Sequence, residues 1–176
     1  MGAKSYIWLC FILWAIPGQA QNLITLQRSE NIMDAAVTVT LVADSEDLGY
    51  IQLEEALASF RRIEAMTSVT HPDSGIARIN RMAGRAPVEV SPELFGLIRR
   101  AIQISQMTEG AFDITYAALD TLWRYDGGMK QIPGQEAIEK VMPLVGYRHI
   151  RIENKKRTVF LPRKGMRIDL SGIAAG

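Results

Sequence analysis

Alternation comes first along this chain. From Ala35 to Ala43 the residues are β-branched and nearly alternate between apolar and polar, which predicts a strand. Asn22 to Arg28 has weaker strand character. The period then changes. Leu53, Ala56, Leu57, Phe60, Ile63 and Met66 recur at helical spacing with Glu54, Glu55, Arg61, Arg62 and Glu64 between them, so a long amphipathic helix with one buried face is expected after Asp44 and Ser45, either of which can cap it. A second apolar stripe, Leu94, Leu97, Ile98, Ala101, Ile102 and Ile104, predicts another helix. It opens at Ser91-Pro92-Glu93, a cap, a proline at the first helical position and an acid in the first turn. Glycine in Thr108-Glu109-Gly110 is its expected stop.

Shorter elements fill the gaps. Residues 68–74 read as a loop broken by Pro72, with Asp73 or Ser74 capping a short helix over Gly75 to Met82. Gly84-Arg85 turns the chain into a short extended piece, Ala86 to Val90. Ile114 to Trp123 reads as helix, Asp126-Gly127-Gly128 as a break, and Gln135 to Val141 as a helix that Pro143 helps to end. Arg148–Glu153 and Arg157–Leu161 predict a hairpin joined at Asn154-Lys155-Lys156. In the closing stretch Met166, Ile168 and Leu170 alternate with Arg167, Asp169 and Ser171, as in a half-buried strand, before the small residues Gly172, Ala174, Ala175 and Gly176. Helices in the middle and strands at both ends make one α+β unit, without repeats or an internal linker.

The first twenty residues differ from the rest. Lys4 is their only charge, Tyr6 to Ile16 is an unbroken apolar run, and Pro17-Gly18-Gln19-Ala20 places small residues before a cut after Ala20. This predicts a secretory signal peptide over 1–20, with 21–176 as the mature domain. The run is short for a stable membrane anchor, and Cys10 lies inside it, where a lipoprotein cleavage site is not expected. Cleavage removes the single cysteine and leaves 19 basic and 19 acidic side chains. Thiol and disulfide chemistry are then excluded from the mature protein, and the balanced charge, without a basic stripe, argues against nucleic acid.

Few residues advertise chemistry by themselves. His71 and His149 belong to no metal-ligand pattern, and no nucleophile-elbow or phosphate-loop motif occurs. Gly110-Ala111-Phe112-Asp113 offers close backbone approach, an aromatic face and a carboxylate, although Asp113 can simply cap the following helix. Leu122-Trp123-Arg124-Tyr125 could stack on a ring or pack as core. Asp169 stands at the mouth of a strand-to-helix turn, where a carboxylate can accept hydrogen bonds or help hold a cation, although such a turn taken alone is more often plain packing.

The order of the pieces says more than any one of them. Ser68-x-x-x-Pro72-Asp73-Ser74 leads into Arg78-Ile79-Asn80, then Ser91-Pro92-Glu93-Leu94, Gly110-Ala111-Phe112-Asp113, Leu122-Trp123 and Asp169-Leu170-Ser171-Gly172-Ile173-Ala174. From about Met33 to Gly176 this resembles the ApbE family, the FAD:protein FMN transferases. The resemblance implies an ApbE-like (T-fold-like) α+β domain with a mixed sheet. It implies a periplasmic protein that uses FAD and magnesium to place FMN on a threonine of an exported acceptor flavoprotein, releasing AMP; association with the inner membrane is among the expectations. It implies FAD contacts from Met33, Ala111, Phe112, Asp113 and Asp169, and a metal contact from the Gly172 carbonyl. Departures from the pattern are Asp34 in place of a glycine, Thr70 in place of a tyrosine, and Ala175 in place of a lysine. Family members also continue into a second half that supplies an aspartate and a threonine to the metal. The resemblance therefore covers the N-terminal part of such a fold, and these 176 residues alone are expected not to transfer FMN. The alternatives are an FAD-binding relic, an FAD pyrophosphatase fragment and an exported interaction domain without a ligand.

Overall fold

The computed structural model describes residues 23–33, 35–123 and 132–174. The expected signal peptide with Cys10, and Asp34, Arg124, Tyr125, the Asp126-Gly127-Gly128 break, Ala175 and Gly176, lie outside the described residues. Strand β1 (Ile24–Ile32) and strand β2 (Ala35–Ala43) form an antiparallel hairpin in which Ile24 faces Ala43 and Ile32 faces Ala35. The first strand was expected to end at Arg28 but runs on to Ile32. Ser29, Glu30 and Asn31 have poor strand propensity, and pairing supplies what propensity lacks. The Ser29 and Thr38 hydroxyls bond across the strands at 2.8 Å.

Helix α1 (Glu46–Thr67) follows, its first turn closed by Ser45, whose hydroxyl accepts from the Leu48 N–H. It covers one face of the hairpin. Gly49 is a point of close approach: a Cβ there would stand 2.4 Å from Leu26 Cδ1 and 3.1 Å from the Ala43 Cβ. Helix α2 (Gly75–Arg81), short strand β3 (Val88–Glu89) and helix α3 (Pro92–Met107) come next, capped where expected by Ser74 and Ser91 for the two helices. α3 stops as glycine chemistry demands. Glu109 and Gly110 both have positive φ, +54° and +92°, and the Gly110 N–H returns to the Ser105 carbonyl at 2.8 Å.

Two expectations are corrected in the second half. Ile114–Thr121 is a 3₁₀ rather than an α-helix, tied down by Asp113 at its start. After helix α4 (Gln135–Val141), residues Tyr147–His149 form a 3₁₀ turn, so strand β4 is only Arg151–Glu153, paired with strand β5 (Thr158–Phe160). β5 also pairs with β3, giving the order β3-β5-β4. The α+β class is as expected, while the pairing among the described residues is antiparallel throughout rather than mixed.

The core lies between this small sheet, α2 and α3. Ile76, Ile79, Leu94, Ile98, Ile114, Val159, Leu161, Met166, Ile168 and Leu170 are buried together. The closing stretch does alternate, with Met166, Ile168 and Leu170 fully buried, but it is not a strand. Its backbone finds other partners. The Asn80 side chain donates to the Ile168 carbonyl at 3.0 Å and accepts from the Ile168 N–H at 2.8 Å, and the Asp169 N–H donates to the Ile114 carbonyl at 2.9 Å. A residue held this way satisfies its buried polar groups without a ladder. Helix α5 (Ser171–Ala174) then begins.

Candidate functional site

The clasp on Ile168 fixes which way Asp169 faces. Because Ile168 and Leu170 are buried, Asp169 turns to the other side of the extended segment. Its Oδ1 accepts from the Ser171 N–H at 2.8 Å, and its Oδ2 accepts from the Tyr116 hydroxyl at 3.3 Å. That hydroxyl also lies 3.2 Å from the Ser171 Oγ. Asp120 shares the neighbourhood. Burial pushes its carboxyl up, the Asp169 charge pushes it further, and Arg167 pulls the other way. The Tyr116 hydroxyl is likewise raised, first by burial and then by Asp169 and Asp120, against the bond to Ser171. Tyr116 therefore stays protonated and remains a donor to Asp169.

Asp169 opens onto a cleft of about 210 Å³. The turn of the hairpin supplies Met33, the end of α1 supplies Glu64 and Thr67, the loop after it supplies Thr70, and the closing turn supplies Asp169 and Ser171. Met33 sits in the left-handed region with φ +55°, which costs a non-glycine residue about 1 kcal/mol. The Glu64 carboxylate offsets this by accepting from the Met33 N–H at 2.7 Å. Met33 and Asp169, expected from opposite ends of the chain, thus line one cavity.

The motif at 68–74 is mostly architecture. Ser68 Oγ accepts from the N–H groups of Thr70 and His71, at 3.3 and 3.1 Å, and the Ser74 hydroxyl donates to the Ser68 carbonyl while capping α2. These bonds tie the loop to itself and to α2, and its Val69 and Thr70 line both the first cleft and a second of about 500 Å³.

The other expected residues divide. Phe112 lies against Gly172: its Cε2 is 3.3 Å from the place a Cβ on residue 172 would take, so the ring and the closing turn are neighbours. Ala111 is exposed and precedes Phe112 in sequence. Asp113 is engaged elsewhere. Its Oδ1 accepts from the Thr115 N–H at 2.8 Å and the Thr115 hydroxyl at 2.6 Å, and its Oδ2 accepts from the Tyr147 N–H at 2.7 Å. The Thr115 oxygen in turn accepts from the Gly146 N–H at 2.6 Å. Asp113 is thus a cap and a cross-link between two segments. Sequence reasoning assigned nothing to Glu64, Tyr116, Asp120 or Arg167. Their partners lie far away along the chain, and no local pattern announces them.

Comparison with known proteins decides the family. Residues 33–176 match the model described as the ApbE family. The chain belongs to the ApbE family. It is 30% identical over 129 residues to the FAD:protein FMN transferase of Treponema pallidum (strain Nichols), which covers 70% of this chain and 36% of that protein. To the FAD:protein FMN transferase of Klebsiella pneumoniae (strain 342) it is 33% identical over 128 residues, covering 70% and 40%. The crystal structure of the ApbE protein from Thermotoga maritima superposes with a TM-score of 0.75 at 29% identity, over 87% of this chain and 49% of that one. The flavin transferase ApbE from Vibrio cholerae gives a TM-score of 0.76 at 23% identity, over 86% and 50%, a likeness of fold. The chain therefore spans about half, or less, of the relatives it resembles.

The two clefts share Val69 and Thr70 in their lining, and the larger, at about 500 Å³, falls in the range of about 300–1,000 Å³ common for small-molecule pockets while the smaller, at about 210 Å³, falls below it. Magnesium is a different matter. A hard dication takes about six oxygens. Gly172 offers one backbone carbonyl, and among the described residues no three or more His, Cys, Asp or Glu converge. The described residues alone do not make a magnesium centre.

Proposed function

We propose that this chain holds FAD for transfer of FMN to a threonine hydroxyl of an acceptor flavoprotein, as an exported, periplasmic member of the FAD:protein FMN transferases. In that reaction the threonine oxygen bonds to the flavin-side phosphorus, the pyrophosphate P–O bond breaks, AMP leaves, and the hydroxyl proton passes to solvent or a base. The observation that carries the reading is the convergence of Met33 and Asp169 in one cleft, with Thr70 on its wall. The family membership and the names of the relatives support it. The role of these residues is to bind and orient. Asp169, kept in place by Tyr116 and Ser171, presents a carboxylate to a ribityl or ring donor, and Phe112 beside Gly172 presents an aromatic edge. Where a site for it is completed, magnesium would spread phosphate charge in such a step; that dependence is what the resemblance implies and is part of the test.

The test mixes purified protein with FAD, magnesium and an acceptor flavoprotein. FAD fluorescence reads binding, covalent flavin on the acceptor reads transfer, and AMP reads cleavage. Saturable FAD binding that Asp169→Ala weakens tenfold or more, with the fold intact, supports the site. From these 176 residues alone, binding without transfer is expected, because the single Gly172 carbonyl is too little for a cation that takes about six oxygens. Absence of FAD binding overturns the reading, and magnesium-dependent AMP without labelled acceptor moves it to FAD hydrolysis.

A further inference from the structure

The balanced charge of residues 21–176 hides an uneven placement. Between Arg148 and Arg167 eight side chains are basic and Glu153 alone is acidic. This stretch holds β4, β5, the turn between them and the loop that follows. Arg151, Lys155, Lys156, Arg157, Arg163 and Lys164 are all exposed. Among the described residues no ion pair reaches any of these six, whereas Arg28, Arg61, Arg62 and Lys140 each meet a carboxylate. Glu153 does not neutralise its neighbours. Its Oε1 accepts from the backbone N–H groups of Lys155 and Lys156, at 3.1 and 3.3 Å, so the carboxylate is spent on shaping the turn. Glu89, which flanks Thr158 from β3 as Glu153 does from β4, is the other acid on this sheet.

The turn keeps a charge where its shape favours glycine. Arg157 has φ +49°, in the left-handed region that glycine or asparagine enters more easily. Its carbonyl accepts from the Val90 N–H at 3.1 Å. Asn154, Lys155, Lys156 and Arg157 make the exposed tip, with no aromatic or aliphatic side chain among them. At the other end of β5, Arg163 donates from Nη1 to the Pro143 carbonyl. It therefore lies against the segment that carries Met142, an apolar side chain 48% exposed.

We propose that the β4–β5 hairpin and the loop at 163–164 form a docking surface for a bilayer that contains anionic lipids. Charge complementarity selects this partner. Flexible cations spread over a tip suit headgroup phosphates that can rearrange beneath them, while a specific protein interface centres on buried anchors that this tip lacks. Each Lys or Arg close to an anionic surface raises partition about fivefold, and the attraction fades over a Debye length of about 10 Å. The loop runs on into Gly165 and Met166, which line the larger cleft, so a docked chain keeps its clefts close to the lipid. None of this depends on the FAD reading.

The test is sedimentation with vesicles of phosphatidylcholine alone and of phosphatidylcholine with about one-third phosphatidylglycerol. The full chain is used beside residues 21–176, which keep every described residue and lack the apolar Tyr6–Ile16 run. Both forms are expected to bind the phosphatidylglycerol vesicles more tightly than the neutral ones, with the excess lost as salt rises. Lys155→Gln with Lys156→Gln is expected to weaken that excess roughly tenfold or more. Arg99→Gln with Arg100→Gln, the same loss of charge from an exposed pair on α3, should leave it unchanged. Arg157→Gly relieves the strained φ, so it should unfold no earlier than the parent and still bind the anionic vesicles about fivefold more weakly. Equal binding of residues 21–176 to neutral and anionic vesicles, or to neither, overturns the proposal. So does an α3 pair that weakens binding as much as the tip pair, since net charge rather than place would then be responsible. Polyglutamate and duplex DNA are titrated alongside. If either binds more tightly than the anionic vesicles and loses its affinity in the tip pair, the surface belongs to an acidic chain and not to lipid.

Discussion

Two aspartates that look alike in sequence separate at the level of the single residue. Asp113 and Asp169 both precede a helical turn, and both match an expected flavin contact. Asp113 binds three donors of its own chain, from Thr115 and Tyr147. Removing it deletes a cap and leaves the Tyr147 N–H unpaired, so Asp113→Ala is expected to destabilise the fold by about 2–4 kcal/mol in urea denaturation. Asp169 is held by one backbone N–H and a long 3.3 Å bond from Tyr116. Asp169→Ala should cost about 1 kcal/mol of stability, and its larger effect should fall on FAD affinity. If instead Asp113→Ala unfolds as late as the parent while losing FAD, the carboxylate belongs to the ligand and not to the fold. The capping use of Asp113 was legible in the sequence, since an aspartate before a helical pattern is a cap by chemistry. Its hold on Tyr147 was not, because a bond across 34 residues has no local sign.

Local patterns read well at the level of elements wherever periodicity and caps agreed. β2, α1, α3 and α4 begin where their alternation, stripe or cap placed them. The departures occur where tertiary partners override propensity: β1 is extended by its pairing, and Ile114–Thr121 is tightened into a 3₁₀ run by its anchors. The hairpin is the element whose stability is most conditional, because two strands alone are marginal in water and α1 is what covers them. Leu53 and Leu57 are fully buried on α1, and Leu57→Ala is expected to cost about 2–5 kcal/mol, with the hairpin amides losing hydrogen-exchange protection first. The exposed side of this junction carries an ion network. Arg61 donates to Glu30 at 2.6 and 2.8 Å and to Glu54 at 2.7 Å, and Arg28 donates to Glu54 at 2.8 Å. Bonds from Arg61 hold both carboxyls below their usual value of 4.5. A depressed folded-state value means the network's contribution is complete above pH 4.5 and fades as pH falls through the folded-state values. The network is solvent-exposed, so the effect is small and screened by salt. Carboxyl NMR titration should show Glu30 and Glu54 rising towards ordinary values in Arg61→Gln, with Arg28 still acting on both; titrations identical to the parent would show that the network does not form in solution.

For the molecule as a whole, one asparagine joins the core to the site. Asn80, at the end of α2, binds both backbone groups of Ile168 across 88 residues of sequence. No strand partner does this work, since the closing stretch has none among the described residues. Alternation correctly placed Met166, Ile168 and Leu170 inside and Arg167 and Asp169 outside, and it wrongly implied a ladder, because a side chain that mimics a strand edge leaves the same burial pattern. The consequence is that this carboxamide, with the Asp169 N–H bond to the Ile114 carbonyl, holds the segment that lines both clefts. Asn80→Ala leaves a buried N–H and a buried carbonyl without partners, a loss of about 2–4 kcal/mol. It also frees the segment that carries both Arg167 and Asp169. FAD affinity is therefore expected to fall by more than Asp169→Ala alone removes, although Asn80 is not required to touch the ligand. Asn80→Asp separates the two roles. A carboxylate still accepts from the Ile168 N–H but cannot donate to the Ile168 carbonyl, so stability should fall part-way and FAD affinity with it. The measurement pairs urea midpoints with FAD titrations across the three variants. An Asn80→Ala protein that is destabilised yet binds FAD with parental affinity would show that the closing segment finds its place without the clasp, and that ligand binding does not depend on how it is held.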